Sequence, residues 1–306
     1  MDLKQIEAFV RVAELGSFTR AALSLNMAQP ALSRQVRQLE VQLRHTLLVR
    51  NGRGATPTEA GKLLLAHGRG ILHQVALVSQ ALGATRGTLA GRVSIGLPPS
   101  LSRLMAVPLA HAFARQLPHA QLSLTEGFSR SMAEALRMGE LDMALLYNPN
   151  TGTDFEATHL HEDALVLISA ALSTQRRQRP ITLAQVACLP LILPSRPNSF
   201  RLLIDSELMA IGCSAGPAIE VDGLNAILSL VKEGLGHAVL PAYTLRSLDT
   251  LHPFIVHPFS VRPITAPRLV SRLALVRCTR RPSTAAQDQA VQVLTQVVLQ
   301  TLGVSG

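Results

Sequence analysis

Between residues 29 and 53 the chain carries side chains whose chemistry points to a polyanion. Gln29, Pro30, Ser33, Arg34 and Arg37 fall on one side of a helical wheel, and none of them is acidic. Short donors near the start of a helix reach base edges in a major groove, and arginines further along reach guanine or phosphate. Leu32, Val36, Leu39 and Leu43 repeat on the opposite side, which sets the polar face against a core. A solvated helix surface would have the same pattern, so this segment alone does not decide. The next one does. Leu47–Arg50 and Ala55–Thr56 flank Asn51-Gly52-Arg53-Gly54, a hairpin signal with a cation at its tip. A hairpin directly after a helix-turn-helix is a wing: Arg53 is placed to enter a minor groove, and Arg37, Arg50 and Arg53 are expected mainly on phosphate or in that groove.

Those side chains need a frame. Leu3, Ile6, Phe9, Val10 and Ala13 recur at helical spacing, Gly16 stops that helix and Ser17 caps the next. Phe18, Ala21, Ala22 and Leu25 form the buried set of the second helix, and Pro30 falls in the first turn of the third, where a missing N–H costs nothing. Thr56-Pro57-Thr58-Glu59 reads as a capping box with Pro at the first helical position, opening a helix to about Leu82. In it Leu64, Gly68, Ile71, Val75, Val78 and Leu82 alternate in steps of four and three, a coiled-coil-like seam. Some 26 residues would run roughly 40 Å, too long to be covered by a small winged domain. A partner helix from a second subunit or the chain's own C-terminal region would cover it. Gly83, Gly87 and Gly91 mark a junction after it.

Composition narrows the classes. The chain has 306 residues, 47% hydrophobic, with a formal charge of +9. Residues 1–90 hold 11 Lys/Arg against 5 Asp/Glu, the rest 18 against 15, so the excess sits at the front. Charges at Asp2, Lys4, Glu7, Arg11 and Glu14 exclude a secretory h-region, and the longest apolar run, Ala164–Leu172, is too short to span a bilayer. A cytoplasmic location is expected. Cys188, Cys213 and Cys278 have neither CxxC nor Cys/His metal spacing and read as structural thiols. Neither a nucleophile elbow, HExxH, P-loop nor strand-linked GxGxxG occurs, which argues against an enzyme and against a cofactor.

From Gly91 onward short apolar runs alternate with helical stretches, the pattern of α/β units on a largely parallel sheet. Strands are expected at Arg92–Leu97, Gln121–Glu126, Asp142–Tyr147, Ala164–Ser169, Leu189–Leu193 and Arg272–Arg277. Helices are expected at Ser100–Gln116, Ser129–Met138, Phe200–Ile211, Ile227–Glu233 and Thr284–Leu302. A cleft between two such lobes, at strand C-termini, is a default ligand site. Ser100 and Ser129 are equally good helix caps, and both roles are compatible. Arg196 reads equally as a surface charge, and His111 and His237 as packed or solvated histidines.

The whole chain resembles the LysR-type transcriptional regulators. The stretch LKQIEAFVRVAELGSFTRAALSLNMAQPALSRQVRQLE carries most of the likeness; RGATPTEAG, GELDMALLY and VKEGLGHAVLP support it further on. Within that family it resembles the nitrogen assimilation control group. Ala28 departs from the family, which often has a serine N-cap there. The resemblance implies an α/β protein: a winged helix-turn-helix over residues 1–58, a dimerising linker helix over 59–90 and an effector-binding region over 91–306. That last region has two subdomains like those of periplasmic binding proteins, about 91–162 with 267–306, and about 163–266. Carried over position by position, Ser100, Ser129, Tyr147, Arg196 and Asn198 would line the pocket. Partners implied are double-stranded operator or promoter DNA, a second copy through Leu64, Ile71, Val75, Val78 and Leu82, a homotetramer, RNA polymerase and a small metabolite. The helix N-termini at Ser100 and Ser129 make an anion the expected metabolite.

Overall fold

A computed structural model describes residues 1–51, 54–83, 89–149, 152–171, 179–244 and 259–303. The N-terminal unit is α1 (Leu3–Leu15), α2 (Phe18–Ser24), α3 (Gln29–Leu43), the hairpin β1 (Leu48–Asn51) and β2 (Gly54–Pro57), then α4 (Glu59–Gly83). Asp2 and Gln5 form a reciprocal capping box at the start of α1, Gly16 ends it in the left-handed region at φ 62°, and Ser17 caps α2. Ala28 caps α3 without a side-chain bond, as its residue type dictates. Phe9, Val12, Ala21, Leu32, Val36 and Leu39 close the core of this unit.

Three hydrogen bonds fix the hairpin to the helical part. The Glu40 carboxylate on α3 accepts the Leu47 and Leu48 N–H groups at 2.8 and 3.2 Å. The Gly16 carbonyl accepts the Ala55 N–H at 2.9 Å, and a Cβ on Gly54 would lie 2.4 Å from that same oxygen. Only glycine fits there, at φ +146°. Gly52 and Arg53 at the tip lie outside the described residues.

The start of α4 differs from the expected capping box. Pro57 is the last residue of the ladder, paired with Leu48, and the cap is Thr58, whose Oγ1 accepts the Gly61 N–H at 3.0 Å. The ladder runs one residue further than expected and the cap falls two residues later, because the Thr58 N–H donates to the Leu47 carbonyl and continues the strand into the helix.

The expected seam also divides. Leu64 packs on the winged core, and a Cβ on Gly68 would press Val10 and Ile6 of α1 at 3.0 and 3.1 Å. Those two positions face the same chain. Ile71, Val75 and Val78 stay 37%, 40% and 60% exposed and continue a free stripe that begins at Leu63. The Leu82 side chain and Gly87 lie outside the described set.

The remainder is two α/β lobes. Lobe I contains β3 (Gly91–Leu97), α5 (Pro99–Gln116), β4 (Ala120–Glu126), α6 (Ser129–Met138), β5 (Met143–Tyr147) and the first half of β6 (Phe155–Ala170). Lobe II takes the second half of β6 and adds β7 (Ile181–Thr182), α7 (Leu183–Ala187), β8 (Leu191–Leu193), α8 (Ser199–Ala210), β9 (Pro217–Glu220), α9 (Leu224–Lys232), β10 (Ala238–Pro241) and β11 (Phe259–Thr265). The chain returns to lobe I through β12 (Val270–Cys278) and α10 (Ala285–Leu302).

The sheet is mixed rather than largely parallel. β3, β4 and β5 pair in parallel, whereas β12 runs antiparallel to β5 and β6, and β10 and β11 run antiparallel to β6. The 16-residue β6 is the reason: it crosses both lobes, pairing with β12 up to Ala164 and with β10 and β11 from Leu165. Its outer half, Phe155–Asp163, is largely exposed and polar and gave no buried-strand pattern. Lobe I buries Ile95, Leu101, Met105, Leu145 and Val298 against α5 and α10, and lobe II buries Leu167, Leu191, Ile204 and Val239.

Candidate functional site

The surface of α3 is as its pattern required. Gln29, Pro30, Arg34 and Arg37 are exposed and Ser33 is half-buried, while Leu32, Val36 and Leu39 are fully buried beneath them. Arg34 and Arg37 form neither a hydrogen bond nor an ion pair among the described residues, which leaves both guanidinium groups available to a polyanion. Arg50 is exposed but engaged: it stacks on Phe18 and donates to Ser33 at 3.3 Å.

The second site lies between the lobes. Four helices begin there. Their N-caps Pro98 (α5), Phe128 (α6), Asn198 (α8) and Gly223 (α9) all line one cavity of about 50 Å³. Three of the four have no side-chain cap, and only Asn198 accepts an N–H of its own helix, that of Phe200 at 2.9 Å. Backbone N–H groups at the positive ends of several dipoles therefore converge on one space. No charged side chain lines it.

Its floor is a hydroxyl cluster. Ser100 Oγ lies 3.4 Å from both Tyr147 Oη and Tyr243 Oη, and the Tyr147 ring packs against Phe200 with centroids 4.8 Å apart. Ser129 Oγ accepts the Tyr147 N–H at 3.1 Å, tying the start of α6 to the end of β5. Beside it an outer groove of about 370 Å³ shares Phe128, Ser129, Asn198 and Ser199 and adds the cations Arg130 and Arg196 and the carboxylates Glu134 and Asp222. Arg103 on α5 donates to Asn225 on α9 at 3.0 Å, a direct bond from lobe I to lobe II. The inner space has room for a water and not for a metabolite, which takes roughly 300 Å³ or more.

Of the five expected pocket residues, Ser100, Ser129, Tyr147 and Asn198 meet at this cavity. Arg196 does not. Its guanidinium is held by Asp205 at 2.7 Å, with the side chain 64% exposed at the outer groove. Sequence reasoning missed Phe200 and Tyr243. Tyr243 follows β10 directly, so its place at a strand end is the signal that could have found it.

Two titrating groups stand out. Burial pushes the Tyr243 hydroxyl well above its ordinary value, opposed in part by the hydrogen bond with Ser100. Burial, with the Arg262 cation nearby, lowers His237, whose Nδ1 bonds Ser169 Oγ at 2.6 Å outside the cleft. His111 is exposed. The three cysteines are free thiols. Among the described residues no cluster of three His, Cys, Asp or Glu is placed to hold a metal, and no helix is long and apolar enough to cross a membrane.

A winged helix-turn-helix with an acid-free outer face, joined to two α/β lobes closing on a pocket, defines a ligand-responsive DNA-binding regulator. Comparison with known proteins is specific. Residues 3–62 match the bacterial regulatory helix-turn-helix protein, lysR family, and residues 86–299 match the LysR substrate binding domain. The chain belongs to the LysR family of transcriptional regulators and not to an enzyme family. It is 32% identical over 302 residues to the nitrogen assimilation regulatory protein nac of Escherichia coli, covering 98% of this chain and 95% of that one. Full-length OxyR from Pseudomonas aeruginosa has the same fold with a TM-score of 0.69 at 23% identity, over 98% of this chain and 95% of that one. Full-length CbnR complexed with its target DNA likewise gives a TM-score of 0.69 at 21% identity, over 97% of this chain and 100% of that one.

The burial of Tyr243 has a measurable consequence. A raised folded value leaves the unfolded chain to release its proton first, so the contribution to stability is full below the ordinary value of 10.0 and is lost as pH rises above it. The chain has two tyrosines and no tryptophan, so in Tyr147→Phe the tyrosinate absorbance reports Tyr243 alone. That signal is expected only as the protein unfolds in alkali; a titration near 10.0 with the fold intact would put the hydroxyl in water.

Proposed function

We propose that α3 lies in the major groove with Gln29, Pro30, Ser33 and Arg34 toward base edges and Arg37 toward phosphate, while Arg53 at the wing tip enters the adjoining minor groove. The acid-free, exposed face of α3 above a fully buried stripe carries this reading. Two chains pair through the stripe of Ile71, Val75 and Val78 on α4, continued by Leu82, and pairs of pairs form a homotetramer on spaced half-sites. The assembly works in the cytoplasm and acts on RNA polymerase at a promoter.

The interlobe cavity takes a small anion. What supports this is the convergence of four helix N-termini on a space lined by no carboxylate. The aromatic and proline walls suit a ligand with an apolar body, and the Ser100 and Ser129 hydroxyls suit its acceptor atoms. Because the closed space is small, binding has to part the lobes or swing Phe200 aside. A ligand then acts by differential affinity for the parted and closed states.

Three measurements test these parts. Arg34→Ala is expected to cost about 1–3 kcal/mol on the native operator and to relax base preference at one position of each half-site; an unchanged footprint would remove α3 from the groove. Val75→Asp is expected to dissociate the assembly in sedimentation and to abolish tight binding to paired half-sites, and an intact tetramer would refute the seam. Small carboxylates and inorganic phosphate are expected to raise the melting temperature of the full chain, by the equivalent of about 2.7 kcal/mol at a hundredfold excess over Kd. A neutral isostere that stabilises better would overturn the anion chemistry.

A further inference from the structure

The Arg50 side chain reaches from β1 across to two helices. Its guanidinium carbon sits 4.1 Å from the centroid of the Phe18 ring, at the first turn of α2. Its Nη2 donates to Ser33 Oγ on α3 at 3.3 Å. One side chain therefore touches the wing, the second helix and the recognition helix. The hairpin backbone is already tied at Gly16 and at Glu40, both on the core side. Arg50 supplies the contact on the outer side, where DNA would lie.

We propose that Arg50 is a positioning residue for base readout: it sets the wing against α3 and fixes the direction of the Ser33 hydroxyl, rather than neutralising a phosphate. The proposal rests on the placement of α3 in the major groove. A hydroxyl has one proton and two lone pairs. With one lone pair occupied by a guanidinium N–H, the Ser33 proton is left to point outward and is polarised toward donation. Ser33 then reads acceptors on a base edge, such as guanine N7 and O6, adenine N7 or thymine O4, in preference to the cytosine amino group. Lysine cannot replace this arginine, because an ammonium does not stack flat on a ring while donating sideways from the same plane.

The test uses the full chain and duplexes that the wild type selects from a random library. Affinity is measured across a salt series, and base preference by repeated selection, for Arg50→Met, Arg50→Lys, Phe18→Leu, Ser33→Ala and the Ser33→Ala/Arg50→Met double variant. Arg50→Met is expected to lower affinity roughly tenfold, to erase the preference at one position of each half-site and to leave the salt slope at its wild-type value. Arg50→Lys should fail to restore that preference and Phe18→Leu should weaken it. Adding Arg50→Met to Ser33→Ala should cost little more than Ser33→Ala alone, since both remove one coupled interaction. A salt slope reduced by about 0.9 or more per arginine removed would make Arg50 a phosphate contact and overturn the proposal, with or without a change in preference. Unchanged affinity and preference in Arg50→Met would overturn it as well, and if Arg34→Ala also left the footprint intact, the placement of α3 itself would be at fault.

Discussion

The carboxylate of Asp142 holds the molecule together. It is 4% exposed and lies where the linker helix, β3 and α10 meet. Its Oδ1 bonds His73 Nε2 at 2.7 Å and accepts from Gln287 Nε2 at 2.6 Å, while Oδ2 accepts the Ser94 N–H at 2.7 Å. A buried carboxylate is costly unless its lone pairs are filled. Here they are filled by α4 and β3, which follow one another, and by α10 from the far end of the chain, so the cost is met only when all three are in place. One turn earlier, a Cβ on Gly70 would stand 1.7 Å from the Met138 carbonyl at the end of α6, so α4 touches lobe I backbone to backbone. Next to Gly70, Arg69 Nε donates to Glu14 on α1 at 3.0 Å. Glu140, in the same crevice, has its acidity weakened by burial, with Arg69 opposing that effect and Glu14 and Glu134 adding to it. Any motion of the winged unit against lobe I has to disturb this group of charges first.

The same economy governs the cleft. Uncapped helix starts leave N–H groups that water or a ligand must satisfy, and three of them are gathered at one place between the lobes. Behind the Pro194–Phe200 side of the cleft, and outside its lining, lies a buried guanidinium. Arg201, 3% exposed, donates to the Pro194 carbonyl at 3.1 Å and to Glu220 at 2.8 Å, with Asp205 closing the set. Burial pulls that guanidinium toward losing its proton, and its bonds to Glu220 and Asp205 outweigh this and hold the proton more tightly than usual. The Pro194–Phe200 loop is thereby fixed from behind, which presents Asn198 and Phe200 to the pocket and leaves Arg196 turned outward to Asp205.

Legibility in the sequence follows the range of the interactions involved. The winged unit was readable because caps, periodicity and hairpin signals act within a few residues: Gly16, Ser17 and the Leu32–Val36–Leu39 stripe all have the roles their types suggest. Thr56 and Thr58 both precede Glu59, and a local motif does not say which one caps; the bond from Thr58 to Leu47, eleven residues away, decides. The outer half of β6 is held by β12, more than a hundred residues later, and has no apolar alternation to reveal it. Ser100, Ser129, Tyr147 and Asn198, expected together from the family resemblance, do line one cavity. Arg196 takes the surface position that its residue type equally allowed, held by Asp205 nine residues on.

The linker helix shows how a periodic stripe can serve two masters. A seam of apolar residues in steps of three and four looks like one face for one partner, yet α4 is held on two sides by its own chain. Leu64 and Gly68 turn to α1 and Gly70 turns to α6, which is why glycines occur where a helix for isolated pairing would carry larger residues. With those sides occupied, Leu63, Ile71, Val75 and Val78 are what remains exposed. Among the described residues of α4 the apolar surface left open is thus set by the contacts that the helix makes with its own winged unit and its own lobe I.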